Sequence, residues 1–472
     1  MRDLLARPIE GRHVGGADGS ISGAPILRGA PVSPGASANR RPKRDPLMGL
    51  VALMVLTYVW RIQDILVPLA LIKFPTLIGL AALAAYAFDK RRVRRLRLVR
   101  SPVLTILIGF AFVIVAGVPT SLLASSTLQF LLKDFLPNVF MAVLVAVCIR
   151  TRRDLDWLLG AHMIGAMLYG LYALLFFGVD ATGRLDHMLY YDANDLALAT
   201  VSTLPVAIYF LRDRSPRWQR RMAFCVAPVL LLNFIRSGSR GGFLSLITIA
   251  VCLMFGYRPI RTRRRIAAFS LCIGAIAAIG GSAFWDKMKT ILAPDDDYNM
   301  QSETGRWQIW QNGLSIVKQR PFLGVGAQQF PEAEATLSDL GRERAESGGR
   351  QLPWQAAHNS YISVAAETGV FGFALFVSLL LTTIGTALLM IREARVNGSG
   401  ELAALSRALA IAFAGYAVGA FFLTAEYKSI LYLNIGCVLA VRKLLKLSQA
   451  NASAARSVDP WALPGRTRWR QA

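Results

Sequence analysis

The sequence predicts an all-α, polytopic integral membrane protein, and three observations lead to that prediction. Of its 472 residues, 54% are hydrophobic and only 17% are charged, whereas roughly a quarter of the residues in a soluble protein are charged. The mean hydropathy is +0.43. Apolar residues also occur in runs of about 20, the length that a helix needs to cross roughly 30 Å of hydrocarbon. Composition and pattern therefore both favour a bundle of membrane helices.

Twelve apolar segments are predicted to span the membrane. They cover residues 46–60, 65–88, 102–123, 130–149, 155–178, 192–211, 222–235, 241–256, 266–284, 359–391, 408–424 and 428–445. Residues 1–45 are rich in Gly, Pro, Ser and Ala, a composition typical of a disordered tail. The predicted organisation is a basic cytoplasmic tail (1–45), nine helices (46–284), a polar loop (285–358), three helices (359–447) and a second cytoplasmic tail (448–472).

Basic segments occur at every second connection between these apolar runs. Strongly basic examples are DKRRVRRLRLVR (89–100), RTRRDLD (150–156), RDRSPRWQRR (212–221) and YRPIRTRRR (257–265). Because cytoplasmic loops carry an excess of Lys and Arg, this alternation predicts that both termini are cytoplasmic. The connections predicted to face outward are 61–64, 124–129, 179–191, 236–240, 285–358 and 425–427.

The formal net charge of +24 does not indicate nucleic-acid binding. The basic residues lie in short cytoplasmic connections, and the sequence has neither a continuous basic face nor a recognisable nucleic-acid module. The five cysteines lie in apolar runs without CxxC spacing, and the four histidines are scattered along the chain. The sequence therefore predicts no metal site and no cofactor.

Arginines in the outward connections are the first candidate site residues, because the positive-inside rule disfavours them there. Arg184 follows a glycine in the connection 179–191, and Arg236 and Arg240 flank a short turn. The helix that begins near Gly241 offers unpaired N–H groups, and guanidinium groups beside a helix N-terminus favour a diphosphate. The alternative is that these arginines extend towards lipid headgroups.

The polar loop contains a predicted amphipathic helix with Trp307, Trp310, Leu314 and Val317 on one face. Ser302 or Thr304 is a candidate cap. The structural alternative is a helix that lies at the membrane surface, with Arg306 as a solvated charge.

His358 ends the polar loop, directly before the next apolar helix. A histidine at the edge of a cavity is a candidate general base, although a lone histidine is more often structural. Asn359 and Ser360 are natural helix caps. Glu367 lies half a turn out of phase with His358 on a regular helix, so we do not expect it to orient that histidine.

Several motifs together resemble the O-antigen ligase and Wzy polymerase superfamily. They are SGSRGG (237–242), GRWQIWQNGL (305–314) with RPFLGVGAQQF (320–330), and HNSYISVAAETGVFG (358–372). DANDLALA (192–199) resembles its exopolysaccharide-related members. The resemblance implies a fold of about twelve helices of the GT-C-like type, in the bacterial inner membrane. It also implies glycan transfer from undecaprenyl diphosphate at the periplasmic face, without metal or nucleotide sugar.

By motif, the resemblance places the catalytic residues at Arg240, Arg306 and His358. Substrate contacts are predicted for residues within or beside these motifs: Arg184, Arg236, Asn359, Tyr361 and Trp307. The expected partners are the carrier-linked glycan, membrane lipids and an acceptor glycan, either lipid A core or a growing polymer.

Several functions remain open from the sequence. A ligase would join the finished polymer to lipid A core, a polymerase would extend the carrier-linked chain, and a related enzyme would glycosylate a protein. A transporter or flippase without chemistry would explain the helices, but it predicts charged residues deep in several spans, and Lys133 and Asp134 are nearly alone there.

Overall fold

The computed structural model describes residues 46–90, 92–180, 184–186, 191–293, 302, 305–347 and 355–458. Every regular element in these ranges is a helix, apart from an isolated antiparallel bridge between Val179 and Leu185. The prediction of an all-α protein is therefore confirmed. The predicted tail at 1–45 and residues 459–472 lie outside the described ranges.

The helices in chain order are α1 (Pro46–Val59), α2 (Ile62–Ile65), α3 (Val67–Leu71), α4 (Phe74–Ala87), α5 (Arg92–Val99), α6 (Pro102–Thr120), α7 (Ala124–Cys148), α8 (Arg152–Phe176), α9 (Ala193–Phe210), α10 (Arg217–Ser237), α11 (Arg240–Gly256), α12 (Thr262–Ile279), α13 (Gly281–Lys289), α14 (Arg306–Gln319), α15 (Phe330–Leu337), α16 (Asp339–Glu346), α17 (Ser360–Val396), α18 (Gly400–Ala420) and α19 (Ser429–Val458).

Within the described ranges, six helices are long and apolar enough to cross a membrane: α6, α7, α8, α9, α17 and α18. The bent pair α12 and α13 adds a seventh if it forms one span. Three further apolar helices, α1, α4 and α11, are shorter and fall in the range of 10–17 residues. The chain is thus a helical, multi-pass membrane protein, while the count of twelve spans stays a prediction.

Two of the predicted spans are divided among separate helices. Segment 65–88 is divided among α2, α3 and α4, and Lys73 adopts a left-handed conformation (φ 51°) where α4 begins. Segment 266–284 bends by 109° between α12 and α13, and Gly281 supplies a φ of 61° at the bend. Connection 124–129, predicted as a loop, is the first part of α7. Apolar content identified these segments but did not reveal their breaks, because backbone turns depend on φ at single residues.

Connections that carry the same predicted orientation lie together at one end of the bundle. At the end predicted to be cytoplasmic, Arg152 forms an ion pair with Glu401, and Arg264 pairs with Asp213 at 2.7 Å. These contacts join connections that are distant in sequence. The alternation of basic segments therefore corresponds to a real grouping of helix ends.

The connections predicted to face outward also meet one another. The Leu185 amide donates to the Arg236 carbonyl (2.9 Å), and the His358 amide donates to Thr424 Oγ1 (2.9 Å). We refer to this end of the bundle as the outer end. The candidate site lies there.

The described part of the polar loop is largely helical, and its helix α14 is amphipathic, as predicted. Ile309 and Ile316 are buried in a small core with Phe330, whereas Trp307 and Leu314 are about half exposed (48% and 52%). The predicted cap is wrong for Ser302, because the cap position is Gly305, which offers no side-chain hydrogen bond. Thr304 lies outside the described residues.

A break in α17 holds the polar loop against the bundle. Gly369 has a φ of 66° inside this helix, and the segment from Pro321 onward fills the gap. The Val325 amide donates to the Ala366 carbonyl (2.9 Å), and the Val370 amide donates to the Pro321 carbonyl (2.8 Å). The loop that carries α14 is therefore attached to the half-helix that starts just after His358.

Candidate functional site

Arg184 is held at the outer end by a short turn and by the end of α10. Its backbone amide donates to Asp180 Oδ1 (3.0 Å), and its Nε donates to the Ser237 carbonyl (2.9 Å). A cation at the C-terminus of a helix is favourable because the helix dipole is negative there. Arg184 thus stands beside the turn that leads to Arg240.

Arg240 begins α11 after a tight turn. Gly238 has a φ of 57°, a conformation that glycine adopts without steric cost, and Ser239 Oγ caps the new helix by accepting from the Gly242 amide (3.1 Å). The Arg240 Nη1 donates to Thr290 Oγ1 (2.7 Å). The arginine is therefore anchored to the end of α13.

Lys287 joins these arginines, and sequence reasoning missed it. The bend between α12 and α13 returns α13 to the turn at Gly238, and a Cβ at Gly238 would lie 3.8 Å from Lys287 Nζ. Arg184, Arg240 and Arg306 all act electrostatically on the lysine. We call Arg184, Arg240, Lys287 and Arg306 the cation cluster. A basic residue in an outward connection was the available signal for Lys287.

Arg306 enters the cation cluster as the first residue of α14. Its side chain is half-buried, and the N-cap residue Gly305 provides no side-chain hydrogen bond to the first turn. The positive end of the α14 dipole adds to the guanidinium charge. The cation cluster thus concentrates positive charge beside Asp180, a setting in which an anionic group can bind.

His358 lies next to the cation cluster with a strained backbone. Its φ is 47°, in the left-handed region that few residues other than glycine occupy. Burial lowers the pKa of His358 to about 4, and the charges of Arg306 and, less strongly, Arg184 act in the same direction, while Asp192 opposes them. The imidazole is therefore neutral at pH 7 and able to accept a proton.

Neighbouring side chains fix the position of His358. Trp310 Nε1 on α14 donates to the Ala357 carbonyl (3.0 Å). Asn359 caps α17, since its Oδ1 accepts from the amides of Tyr361 (2.9 Å) and Ile362 (3.1 Å). These contacts connect the histidine to α14 and to α17 at the same time.

A cavity of about 550 Å³ is lined in part by His358. Its wall comes from the start of α7, from the start of α9 and from the connection between α18 and α19. Lys428 forms an ion pair with Asp195 there (2.6 Å). The charged residues that line it together with the neutral His358 are Lys133, Asp134, Asp192, Asp195, Glu426 and Lys428. We call this space the inner cavity; its volume is within the usual range for ligand pockets.

The structure brings Arg184, Arg240, Arg306 and His358 together, but it separates the other predicted substrate contacts. Arg236 and Trp307 have exposed side chains. The Asn359 oxygen is engaged in capping, and the Tyr361 hydroxyl donates to the Ala417 carbonyl (2.9 Å). Asn359 Oδ1 and the Tyr361 hydroxyl thus have local partners, and a substrate contact by either residue stays a prediction.

Glu367 does not orient His358. It accepts hydrogen bonds from the Tyr427 hydroxyl (2.8 Å) and from the Phe330 amide (3.2 Å). It therefore joins the polar loop to the connection between α18 and α19, as expected of a buried carboxylate that pairs inside a bundle. Among the described residues, no group of three or more His, Cys, Asp or Glu side chains could hold a metal ion.

Comparisons with known proteins agree with this picture. Residues 223–377 match a family model described as O-antigen ligase. A stretch of 199 residues is 23% identical to an uncharacterized protein of Haemophilus influenzae and covers 40% of this chain and 48% of that protein. The chain thus matches about half the length of this relative. The family match includes Arg240, Arg306 and His358, and it confirms the resemblance to the O-antigen ligase and Wzy polymerase superfamily over residues 223–377.

Proposed function

We propose that the chain is a membrane glycosyltransferase of the O-antigen ligase type. It moves a glycan from an undecaprenyl diphosphate carrier to an acceptor hydroxyl at the periplasmic face of the inner membrane. The observation that carries the proposal is the position of His358, which is neutral, lies within electrostatic reach of Arg306 and Arg184, and lines the inner cavity. A donor diphosphate and an acceptor sugar can then approach one proton acceptor from two sides.

The cation cluster suits the leaving group. As the bond between the sugar C1 and the diphosphate oxygen breaks, negative charge grows on that oxygen. Arg240 and Arg306 offer fixed, permanently charged donors for it, and Lys287 adds a third charge nearby. Because the cations are already assembled, little reorganisation is needed when the charge develops. The reaction then needs no metal ion.

His358 suits the acceptor side. The acceptor oxygen attacks C1 from the inner cavity while its proton passes to the His358 imidazole, and the diphosphate leaves towards the cation cluster. One bond forms as the other breaks, so the anomeric configuration inverts. A general base of this kind contributes about 10²–10⁴-fold to the rate.

A Wzy-type polymerase is the second candidate, because the exopolysaccharide-like segment at 192–199 contributes Asp192 and Asp195 to the inner cavity. Deletion of the gene followed by analysis of surface glycans separates the two. A ligase predicts loss of polymer from lipid A while carrier-linked polymer remains. A polymerase predicts accumulation of single repeat units. Loss of the periplasmic carrier-linked glycan together with the surface glycan would instead favour transport of the lipid-linked glycan.

We also propose twelve spans of GT-C-like arrangement with both termini in the cytoplasm. The grouping of the basic connections at one end of the bundle supports this orientation. A periplasmic reporter fused at Leu340, within α16, is expected to be active. A cytoplasmic signal from that fusion would invert the proposed topology.

A further inference from the structure

A second cavity of about 270 Å³ lies beyond the inner cavity. Its wall comes from α1 to α4, from α7, and from Ser429 at the start of α19. Lys133 and Asp134 line both cavities, so the two spaces meet at these residues. We call the second space the distal cavity. Nothing in the transfer step described above uses it.

The backbone around the distal cavity is irregular on both sides. Val55–Val59 in α1 and Leu131–Phe135 in α7 are π-helical turns, a rare geometry that is frequent at functional sites. Two residues of the wall, Arg61 and Lys73, adopt left-handed conformations with φ of 48° and 51°. Each such residue costs on the order of 1–3 kcal/mol and persists where the surrounding structure requires it. Four departures from regular geometry thus surround one cavity.

Two buried amides in the wall have unsatisfied acceptors. The Gln63 Nε2 donates to the Thr57 carbonyl (3.1 Å), and the Asn138 Nδ2 donates to the Tyr427 carbonyl (3.0 Å). These bonds assign the amide orientations, and they leave Gln63 Oε1 and Asn138 Oδ1 without a hydrogen-bond partner. The two side chains are only 4% and 3% exposed. A buried acceptor without a donor costs about 1–3 kcal/mol. Because neither oxygen is accessible from the cavity in this conformation, a ligand that brings hydroxyl groups would be favoured here once the amides rotate towards it.

The charges of the wall define the ligand further. Arg61 pairs with Asp64 at 3.0 Å, and Lys133 is adjacent to Asp134 in sequence, so both signs alternate around the cavity. Such a wall offers donors and acceptors side by side, as sugar hydroxyls require, since each hydroxyl both donates and accepts. A lipid chain would instead need apolar walls.

We propose that the distal cavity is a further glycan subsite, which binds the sugar next to the one that reacts at His358. This inference rests on the proposed function, because it takes the inner cavity as the acceptor site. With this subsite, the enzyme would recognise at least two consecutive neutral or weakly acidic sugars that carry free hydroxyls. Selectivity for the acceptor would then depend on residues about Gln63 and Asn138, outside the O-antigen ligase family match at 223–377.

Binding measurements on the full-length chain in nanodiscs test the subsite. The probes are fragments of one, two and three sugars, released by mild acid from the surface glycans of the source cells. In the wild type we expect the two-sugar fragment to bind about tenfold more tightly than the one-sugar fragment. Gln63→Met and Asn138→Leu should reduce that gain to about threefold or less, because each removes one hydrogen-bond acceptor.

Two further variants keep the test decisive. Asn233→Leu is the matched control, because Asn233 is a buried amide with the same pattern, donating from Nδ2 to the Gly170 carbonyl (3.1 Å) with Oδ1 unpartnered, but away from both cavities. This variant should keep the full tenfold gain in affinity of the two-sugar fragment over the one-sugar fragment. Lys73→Asn changes an exposed wall residue at a φ that asparagine tolerates, so it should lower the gain without affecting folding.

The subsite proposal would be overturned if the gain in affinity from the second sugar were equal in the wild type, Gln63→Met and Lys73→Asn. It would also be overturned if the wild type showed no such gain. Failure of the proposed function looks different. In that case Arg306→Ala and His358→Ala would still support normal glycan transfer in cells, whatever the fragments bind.

Discussion

The acid limb of the pH–rate profile gives a direct test of His358 as the general base. A base must be neutral to accept a proton, and burial with the charge of Arg306 lowers the pKa of His358 from 6.5 to about 4. Lowering the pKa of a histidine extends its neutral form to lower pH. At pH 5.5 about 97% of such a histidine is neutral, against about 9% for an unperturbed one.

The transfer rate should therefore change little between pH 7.5 and pH 5.5. The assay is kcat/KM for transfer from the lipid-linked donor, measured with purified protein, because this quantity reports the pKa of the free enzyme. Arg306→Gln should move the limb to higher pH, since it removes a positive charge that disfavours the imidazolium. Arg184→Gln should move it less, because Arg184 contributes less to the shift.

Asp192→Asn supplies a change of opposite sign. Asp192 raises the pKa of His358, and asparagine keeps the helix-capping role that Asp192 has at α9. This variant should move the limb to lower pH. An acid limb near pH 6.5 in the wild type, or limbs that do not respond in opposite directions to Arg306→Gln and Asp192→Asn, would refute the reasoning.

Two other predictions concern the scaffold of the site. Gly369→Ala should reduce thermal stability and glycan transfer together, at a cost of about 1–3 kcal/mol. The reason is that a Cβ at this position would meet the Phe322 carbonyl oxygen. Gly385→Ala in the same helix is the control, because a Cβ there meets nothing within 4 Å, and it should be neutral in thermal-shift assays. Thr290→Val should raise the KM for the donor about two- to tenfold with a smaller effect on kcat, since it removes a hydrogen bond that anchors Arg240. Equal KM values in the wild type and the variant would show that Thr290 has no role in donor binding.

Residue patterns along the chain predicted much of the architecture. Apolar runs identified the helices, and alternating basic segments grouped their ends correctly, as the pairs Arg152–Glu401 and Arg264–Asp213 show. These signals are strong because membrane burial and insertion act on whole segments rather than on single contacts. The short outer connections could thus be expected to lie together.

Periodicity could not choose which face of α14 is buried. Trp307 and Leu314 form one apolar row, and Ile309 and Ile316 form another. The second row is buried because Gly313 permits close approach of Ile362. The tryptophan row is left exposed, where it can meet the membrane interface. A pattern with two apolar faces has no unique interpretation until the partner surface is known.

Lys287 and the distal cavity were missed in the sequence for a different reason. The lysine reaches the cation cluster only because α12 and α13 bend by 109°, and a bend depends on one positive φ. His358 was ambiguous by its position alone, and the family motif favoured a catalytic role for it. The structure adds the neutral imidazole and the inner cavity that it lines.

Transfer by the purified protein tests the central claim most directly. The wild-type chain, supplied with lipid-linked glycan and acceptor in the presence of EDTA, should form the product linkage with inverted anomeric configuration. His358→Ala, Arg240→Ala and Arg306→Ala should each lower the rate by about 100-fold or more. A wild-type protein that moves the lipid-linked glycan across the bilayer and forms no new glycosidic bond would contradict the account.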